Sequence, residues 1–254
     1  MPHTIAVAGK GGVGKTTTCG MMIDYLCKKN QGPVLVVDAD ANANLNEVLG
    51  VEVETSLGAI REEIANAELK GTIPKSMSKA EYVDFKFNSA LIEDDDFDML
   101  VMGRTQGKGC YCFVNGLLTT LMTKYAKNYS YVVMDNEAGL EHVARGTLPH
   151  VDTMLLISDC SRRGVQAVAR LAEMIDEMEL KPTQMGLIIN RAPGGVLNAG
   201  VKEEIDKHGL KLLGVLPQDD AVYEADCEGE PSSKLPENNP VKQALYGILR
   251  SIGL

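Results

Sequence analysis

At 254 residues with 44% hydrophobic content and a formal charge of −10, the chain can close one sizeable core and is too acidic for broad electrostatic binding to nucleic acid or an anionic membrane. No apolar run approaches a membrane span, the stretch after Met1 is too short for a secretory signal, and six cysteines are too few for a disulfide scaffold, so a cytoplasmic protein is expected.

The first predicted strand, residues 4–8, runs into Gly9-Lys10-Gly11-Gly12-Val13-Gly14-Lys15-Thr16, and a helical pattern follows over residues 15–29. The octapeptide fits G-x-x-x-x-G-K-[ST] where that pattern must lie, between a strand and a helix. Its glycines let backbone N–H groups converge on phosphate oxygens beside the positive end of a helix, Lys15 reaches the β/γ-phosphates, and the Thr16 hydroxyl ligates Mg²⁺. A second strand, residues 33–38, closes on Val36-Val37-Asp38-Ala39-Asp40. The acidic run at 93–96 has no histidine nearby and reads as a solvated turn.

A third strand, residues 97–103, leads through a glycine-containing loop to Gly109-Cys110-Tyr111-Cys112, just ahead of a predicted helix over 113–127. In extended backbone, side chains at i and i+2 face the same side, so both thiols can meet one ligand, and a nearby helix N-terminus favours the thiolate. Thiolate-rich Zn²⁺ or Ni²⁺ sites commonly take four ligands, which two such pairs from a symmetric dimer would supply. Cys19, Cys27, Cys160 and Cys227 have no partner at ligand spacing and read as packing or incidental residues.

The fourth strand, 131–135, ends in Asp135-Asn136-Glu137-Ala138-Gly139. Strands at 153–158, 185–190 and 212–216 alternate with helices at 161–179, 196–208 and 238–252. Val165, Val168, Ala172 and Ile175 form one helical stripe. Asn190-Arg191 closes one strand and Pro217 follows the last; an asparagine amide offers a base edge both a donor and an acceptor, and no guanine-specific Asn-Lys-x-Asp stands there, which favours ATP. Continuous apolar strands alternating with helices predict a single domain over 1–254: a doubly wound, mostly parallel α/β sheet with helices on both faces and its ligand site at the carboxyl ends of the strands.

The run Lys10-Gly11-Gly12-Val13-Gly14-Lys15-Thr16-Thr17 resembles the deviant Walker A motif of the MinD/ParA/nitrogenase-iron-protein class of ATPases. That resemblance implies the P-loop fold, ATP/ADP with Mg²⁺, and a homodimer in which Lys10 reaches the partner's nucleotide. It further implies that Asp40 orients or deprotonates the attacking water and that Asp38 supports the Mg²⁺ shell. Asp135 would hold Mg²⁺ through water, the Gly139 N–H would sense the γ-phosphate, and Asn190, Arg191 and Pro217 would contact adenine. Glu137 departs from the class, which usually reads Asp-x-Pro-Ala-Gly.

With the C-x-C pair and Asp-Asn-Glu-Ala-Gly-Leu-Glu, the chain is similar to the CooC-type nickel-inserting ATPases of carbon monoxide dehydrogenase maturation. This implies Ni²⁺ on Cys110 and Cys112, Zn²⁺ being possible in its place, and carbon monoxide dehydrogenase as the target. An iron–sulfur reductase of the nitrogenase-iron-protein type would need a second cysteine ligand just beyond Asp135, and residues 135–146 contain none. Membrane-bound partitioning or cell-division ATPases end in a basic amphipathic helix, whereas residues 241–254 carry only Lys242 and Arg250 as cations and read as a packed helix.

Overall fold

The computed structural model describes residues 1–104, 111–137 and 150–254. In chain order it contains β1 (His3–Gly9), α1 (Lys15–Lys29), β2 (Val34–Asp38), α2 (Leu45–Leu49), α3 (Leu57–Lys70), α4 (Lys79–Asn88), β3 (Ile92–Glu93), β4 (Asp98–Val101) and α5 (Tyr111–Tyr125). These are followed by β5 (Tyr131–Asp135), β6 (Thr153–Asp159), α6 (Arg162–Glu177), β7 (Gln184–Ala192), α7 (Ala199–Lys207), β8 (Leu212–Pro217), α8 (Asp220–Glu228) and α9 (Pro240–Ser251). The strands form one sheet in the order β3-β4-β2-β5-β1-β6-β7-β8, parallel throughout except for the short edge pairing of β3 with β4.

Each central strand is apolar on both faces because helices cover both. In β1, Ile5 and Val7 join the core beneath α1 and α9, while Ala6 and Ala8 join the opposite core beneath α3, α5, α6 and α7. β2 divides the same way, with Val34 and Val36 on the first face and Leu35 and Val37 on the second. The α6 stripe of Val165, Val168, Ala172 and Ile175 is buried as its spacing predicts, at roughly 1.5–3 kcal/mol for each of the larger side chains.

α9 buries Val241, Leu245, Ile248 and Leu249. The fully buried Lys242 ammonium ties it to α1 through Asp24 at 3.0 Å and also donates to the Leu235 carbonyl at 2.9 Å. The apolar face of this helix is therefore spent on the core, and among the described residues no helix is long and apolar enough to cross a membrane.

Among the described residues, five elements lie outside the sequence-based expectation: α2, α3, α4, the short edge strand β3 and α8. α3 carries its signal in Leu57, Ile60, Ile64 and Ala67, all buried at helical spacing, and α4 begins with a complete capping box between Ser78 and Glu81. The acidic run at 93–96 is exposed and turns β3 into β4, with the Asp94 N–H on the Phe97 carbonyl at 3.0 Å.

Candidate functional site

The register of the sheet builds the site. Val7 of β1 stands opposite Asp135, and Asp38 of β2 stands opposite Asp135 on its other side, so both carboxylates emerge together at the carboxyl ends beside the loop that leaves β1.

That loop is braced by side chains from β7. Asn190 Nδ2 donates to the Val13 carbonyl at 2.9 Å and Arg191 Nη1 to the Gly12 carbonyl at 3.2 Å, while Lys15 Nζ folds back onto the Lys10 carbonyl at 3.3 Å. In a trans peptide the N–H points opposite to the C=O. Holding these three carbonyls therefore turns the N–H groups of Val13, Gly14 and Gly11 away from their donors. Val13 is 2% exposed and plugs the loop into the core. Gly14 starts α1 at φ 88°, and a Cβ there would stand 2.4 Å from Asn190 Nδ2, so only glycine admits the brace. Gly11, Gly12, Gly14, Lys15, Thr16 and Thr17 line a cleft of about 580 Å³ that Asp40 and Glu137 also border.

Asp38 is fully buried, its Oδ1 accepting from the Asp40 N–H at 3.0 Å and its Oδ2 from the Leu45 N–H at 3.1 Å. Both oxygens thus fold the segment that carries Asp40. Burial and the neighbouring Asp135 charge push its carboxyl up to about 7. Burial likewise raises Asp135 to about 6, against the pull of Thr16, Lys15 and Cys19. Asp135 Oδ1 is buried without a hydrogen-bond partner. Two desolvated carboxyls and an orphaned oxygen beside a threonine hydroxyl form a set that a divalent cation stabilises. Two carboxylates and a hydroxyl are too few to enclose Mg²⁺, which suits an ion completed by nucleotide phosphates and water.

A second cavity of about 430 Å³ adjoins the cleft and shares Thr17, Arg191 and Asp226 with it. Asn190, Pro217 and Tyr223 are among its other walls. Asn190 Oδ1 accepts from the Arg191 N–H at 2.9 Å, so half of its amide is committed to the protein and one donor and one lone pair are left for a base. Arg191 adopts φ 55°, unusual for a side-chain-bearing residue and frequent at ligand sites.

Lys10 is exposed at the rim. Cys110 and Gly139 lie outside the described residues, as does the side chain of Cys112. The backbone at Cys112 belongs to the first turn of α5, which starts at Tyr111 rather than near 113, so the extended i, i+2 geometry does not hold at the second cysteine. Among the described residues no group of three or more His, Cys, Asp or Glu side chains is placed to hold a metal ion. Of the other cysteines, Cys19 is buried, Cys27 and Cys160 are half-buried, and Cys227 is exposed and lies on α8.

Sequence reasoning missed Asn42, whose N–H and Nδ2 both reach Asp40 Oδ1, at 2.8 and 3.1 Å. It also missed Asn136, which is buried and donates Nδ2 to the Val7 carbonyl at 2.9 Å. The Asp-x-Asn spacing from Asp40 to Asn42 is the signal of a local side-chain turn. Tyr223 and Asp226 left no sequence signal, because α8 itself was not foreseen.

A family model for the CobQ/CobB/MinD/ParA nucleotide binding domain matches residues 4–232. An uncharacterized ATP-binding protein of Methanocaldococcus jannaschii is 42% identical over 252 residues, covering 98% of this chain and 97% of that protein. The carbon monoxide dehydrogenase accessory protein CooC of Rhodospirillum rubrum is 29% identical over 248 residues, covering 89% and 87%. Among solved structures, the septum site-determining protein MinD of Pyrococcus horikoshii, complexed with Mg-ADP, superposes with a TM-score of 0.71 at 21% identity, covering 100% of this chain and 96% of that one.

Proposed function

The chain belongs to the CobQ/CobB/MinD/ParA nucleotide-binding family and is a P-loop ATPase, and we propose that it is a homodimeric, Mg²⁺-dependent switch that carries Ni²⁺ on Cys110 and Cys112 to carbon monoxide dehydrogenase. The observation that carries the nucleotide half is the convergence of Lys15, Thr16 and Asp40 on one cleft at the strand ends, with the buried Asp135 carboxyl interacting with Thr16 and Lys15. In this reading Lys15 leaves the Lys10 carbonyl for the β/γ-phosphates, and Thr16 with Asp135 holds Mg²⁺, which neutralises phosphate charge when bound. Asp40 takes or orients the proton of the attacking water, while Asp38 holds the Asp40 segment in place and supports the Mg²⁺ shell. Gly139 senses the γ-phosphate, and Asn190, Arg191 and Pro217 receive adenine in the adjoining cavity. Lys10, free of the cleft wall, reaches the partner's nucleotide.

The cargo half rests on the C-x-C pair and on similarity to a protein named as a carbon monoxide dehydrogenase accessory. Four thiolates from two chains suit Ni²⁺, and Zn²⁺ in its place. A cell-division or partitioning switch of the MinD/ParA type is the second reading, favoured by the fold likeness; the burial of the apolar face of α9 weighs against its membrane-docking form.

The test is Ni²⁺ titration of the wild type, Cys110→Ser and Cys112→Ser, with ADP or a non-hydrolysable ATP analogue, while mass is followed in solution. One metal per dimer, lost in both variants, is expected. Undiminished binding in both variants, or one tight metal per monomer, refutes the shared site. ATP hydrolysis that survives Lys15→Ala within about twofold refutes the phosphate site, since that charge stabilises the transferring phosphoryl group.

A further inference from the structure

Asp40 does not stand alone at the cleft. Asn42 gives two donors to Asp40 Oδ1, its backbone N–H at 2.8 Å and its Nδ2 at 3.1 Å, which leaves Oδ2 as the freer oxygen. The Asn42 amide could in principle sit either way round, and the flipped form would set its carbonyl oxygen against a carboxylate. Arg104 removes that choice: its Nη2 donates to Asn42 Oδ1. A guanidinium has donors only, so it accepts nothing but the carbonyl side of the amide and turns the NH₂ side toward Asp40.

The backbone that presents Arg104 is itself fixed. Met102 donates its N–H to the Asp38 carbonyl at 2.9 Å and accepts from the Gly58 N–H at 2.9 Å. At Gly58, near the start of α3, a Cβ would stand 2.5 Å from the Arg104 carbonyl oxygen, so the helix packs directly on the chain at that residue. Arg104 thus projects from a wedge between β2 and α3 onto the loop after β2.

We infer that Arg104 is a positioning residue for ATP hydrolysis, acting through Asn42 to hold the Asp40 carboxylate in the orientation that meets the attacking water. The inference rests on the reading of Asp40 as the water-orienting group. It assigns work to a residue outside the motifs, three positions beyond the end of β4. Losing the relay lets the carboxylate rotate, which affects the chemical step more than nucleotide binding. Loss of one net hydrogen bond from that arrangement corresponds to roughly a two- to twelvefold fall in kcat.

The test is a double-mutant cycle in steady-state ATP hydrolysis, with melting temperature monitored. Arg104→Met and Asn42→Ala should each lower kcat by that factor with little change in KM. The double variant should be no slower than the slower single, and Arg104→Lys, still a donor, should recover most of the rate. Multiplicative effects in the double variant, an unchanged kcat in Arg104→Met, or a loss confined to KM would overturn the relay. Wild-type turnover that Lys15→Ala abolishes shows that the nucleotide reading stands even when the relay fails; absence of Lys15-dependent turnover overturns both.

Discussion

Gly14→Ala tests the brace between β7 and the phosphate loop. The new Cβ would fall 2.4 Å from Asn190 Nδ2, and the backbone at φ 88° is one that side-chain-bearing residues rarely adopt. The left-handed conformation costs about 1–2 kcal/mol for an L-residue, and displacing Asn190 from the Val13 carbonyl removes a hydrogen bond worth about 1 kcal/mol. The sum, about 2–3 kcal/mol, corresponds to a fall in Tm of roughly 4–12 °C for a chain of this size.

Gly12→Ala is the control, because its φ of 78° has the same sign while its Cβ meets nothing within 4 Å. It should show the backbone cost alone. Asn190→Ala should cost less in the Gly14→Ala background than in the wild type, since its hydrogen bond to the Val13 carbonyl is already broken there and only the one from the Arg191 N–H is left to lose. Thermal unfolding and binding of a fluorescent ATP analogue report the two consequences, and Gly14→Ala should bind the analogue more weakly than Gly12→Ala. Equal destabilisation by both glycine substitutions, or fully additive costs of Gly14→Ala and Asn190→Ala, would refute the brace.

Asp40→Ala should reduce kcat by about 10²–10⁴, the usual contribution of a positioned general base, with KM for ATP nearly unchanged; equal loss of both would make Asp40 a binding residue. Lys10→Ala should leave a folded protein that binds nucleotide yet dimerises poorly with ATP and turns over slowly, and sedimentation showing an undiminished ATP-dependent dimer with normal turnover would reject its role across the interface. Glu204 is buried between α6 and α7, where Gln166, Arg162 and His208 hold its carboxyl down from 4.5 to about 2. A depressed carboxyl contributes full stability above its unfolded value and loses it as pH falls through its folded value. Urea unfolding of Glu204→Gln should therefore show a deficit against the wild type at neutral pH that narrows between pH 4.5 and about 2; a constant deficit across that window would contradict the assignment.

The phosphate loop, the strand-end aspartates and the alternation of strands and helices were legible in the chain because each is a local pattern. A glycine-rich turn must follow a strand and open a helix to cradle phosphate, and a parallel strand covered on both faces must be apolar along its whole length. α2 and α8 were not legible, the first being a single short turn and the second a polar segment with no buried residue. α3 and α4 do carry local signals, a stripe of Leu57, Ile60, Ile64 and Ala67 in the first and a capping box between Ser78 and Glu81 in the second.

What the sequence by itself determined was the inventory: Lys10, Lys15, Thr16, Asp38, Asp40 and Asp135 at their motif spacings, and one closely spaced thiol pair. Tertiary structure alone decided how that inventory is arranged. Asp38 and Asp135 became neighbours through the pairing of β2 with β5, residues nearly a hundred positions apart. Asn190 became a brace for the loop rather than only a contact for a base because β7 passes beside Gly14. Arg104 reached the segment that carries Asp40 because α3 fits against its backbone at Gly58. Motifs are read from spacing along the chain, whereas hydrogen bonds and desolvation depend on distances in space, and those exist only once the sheet has set its register.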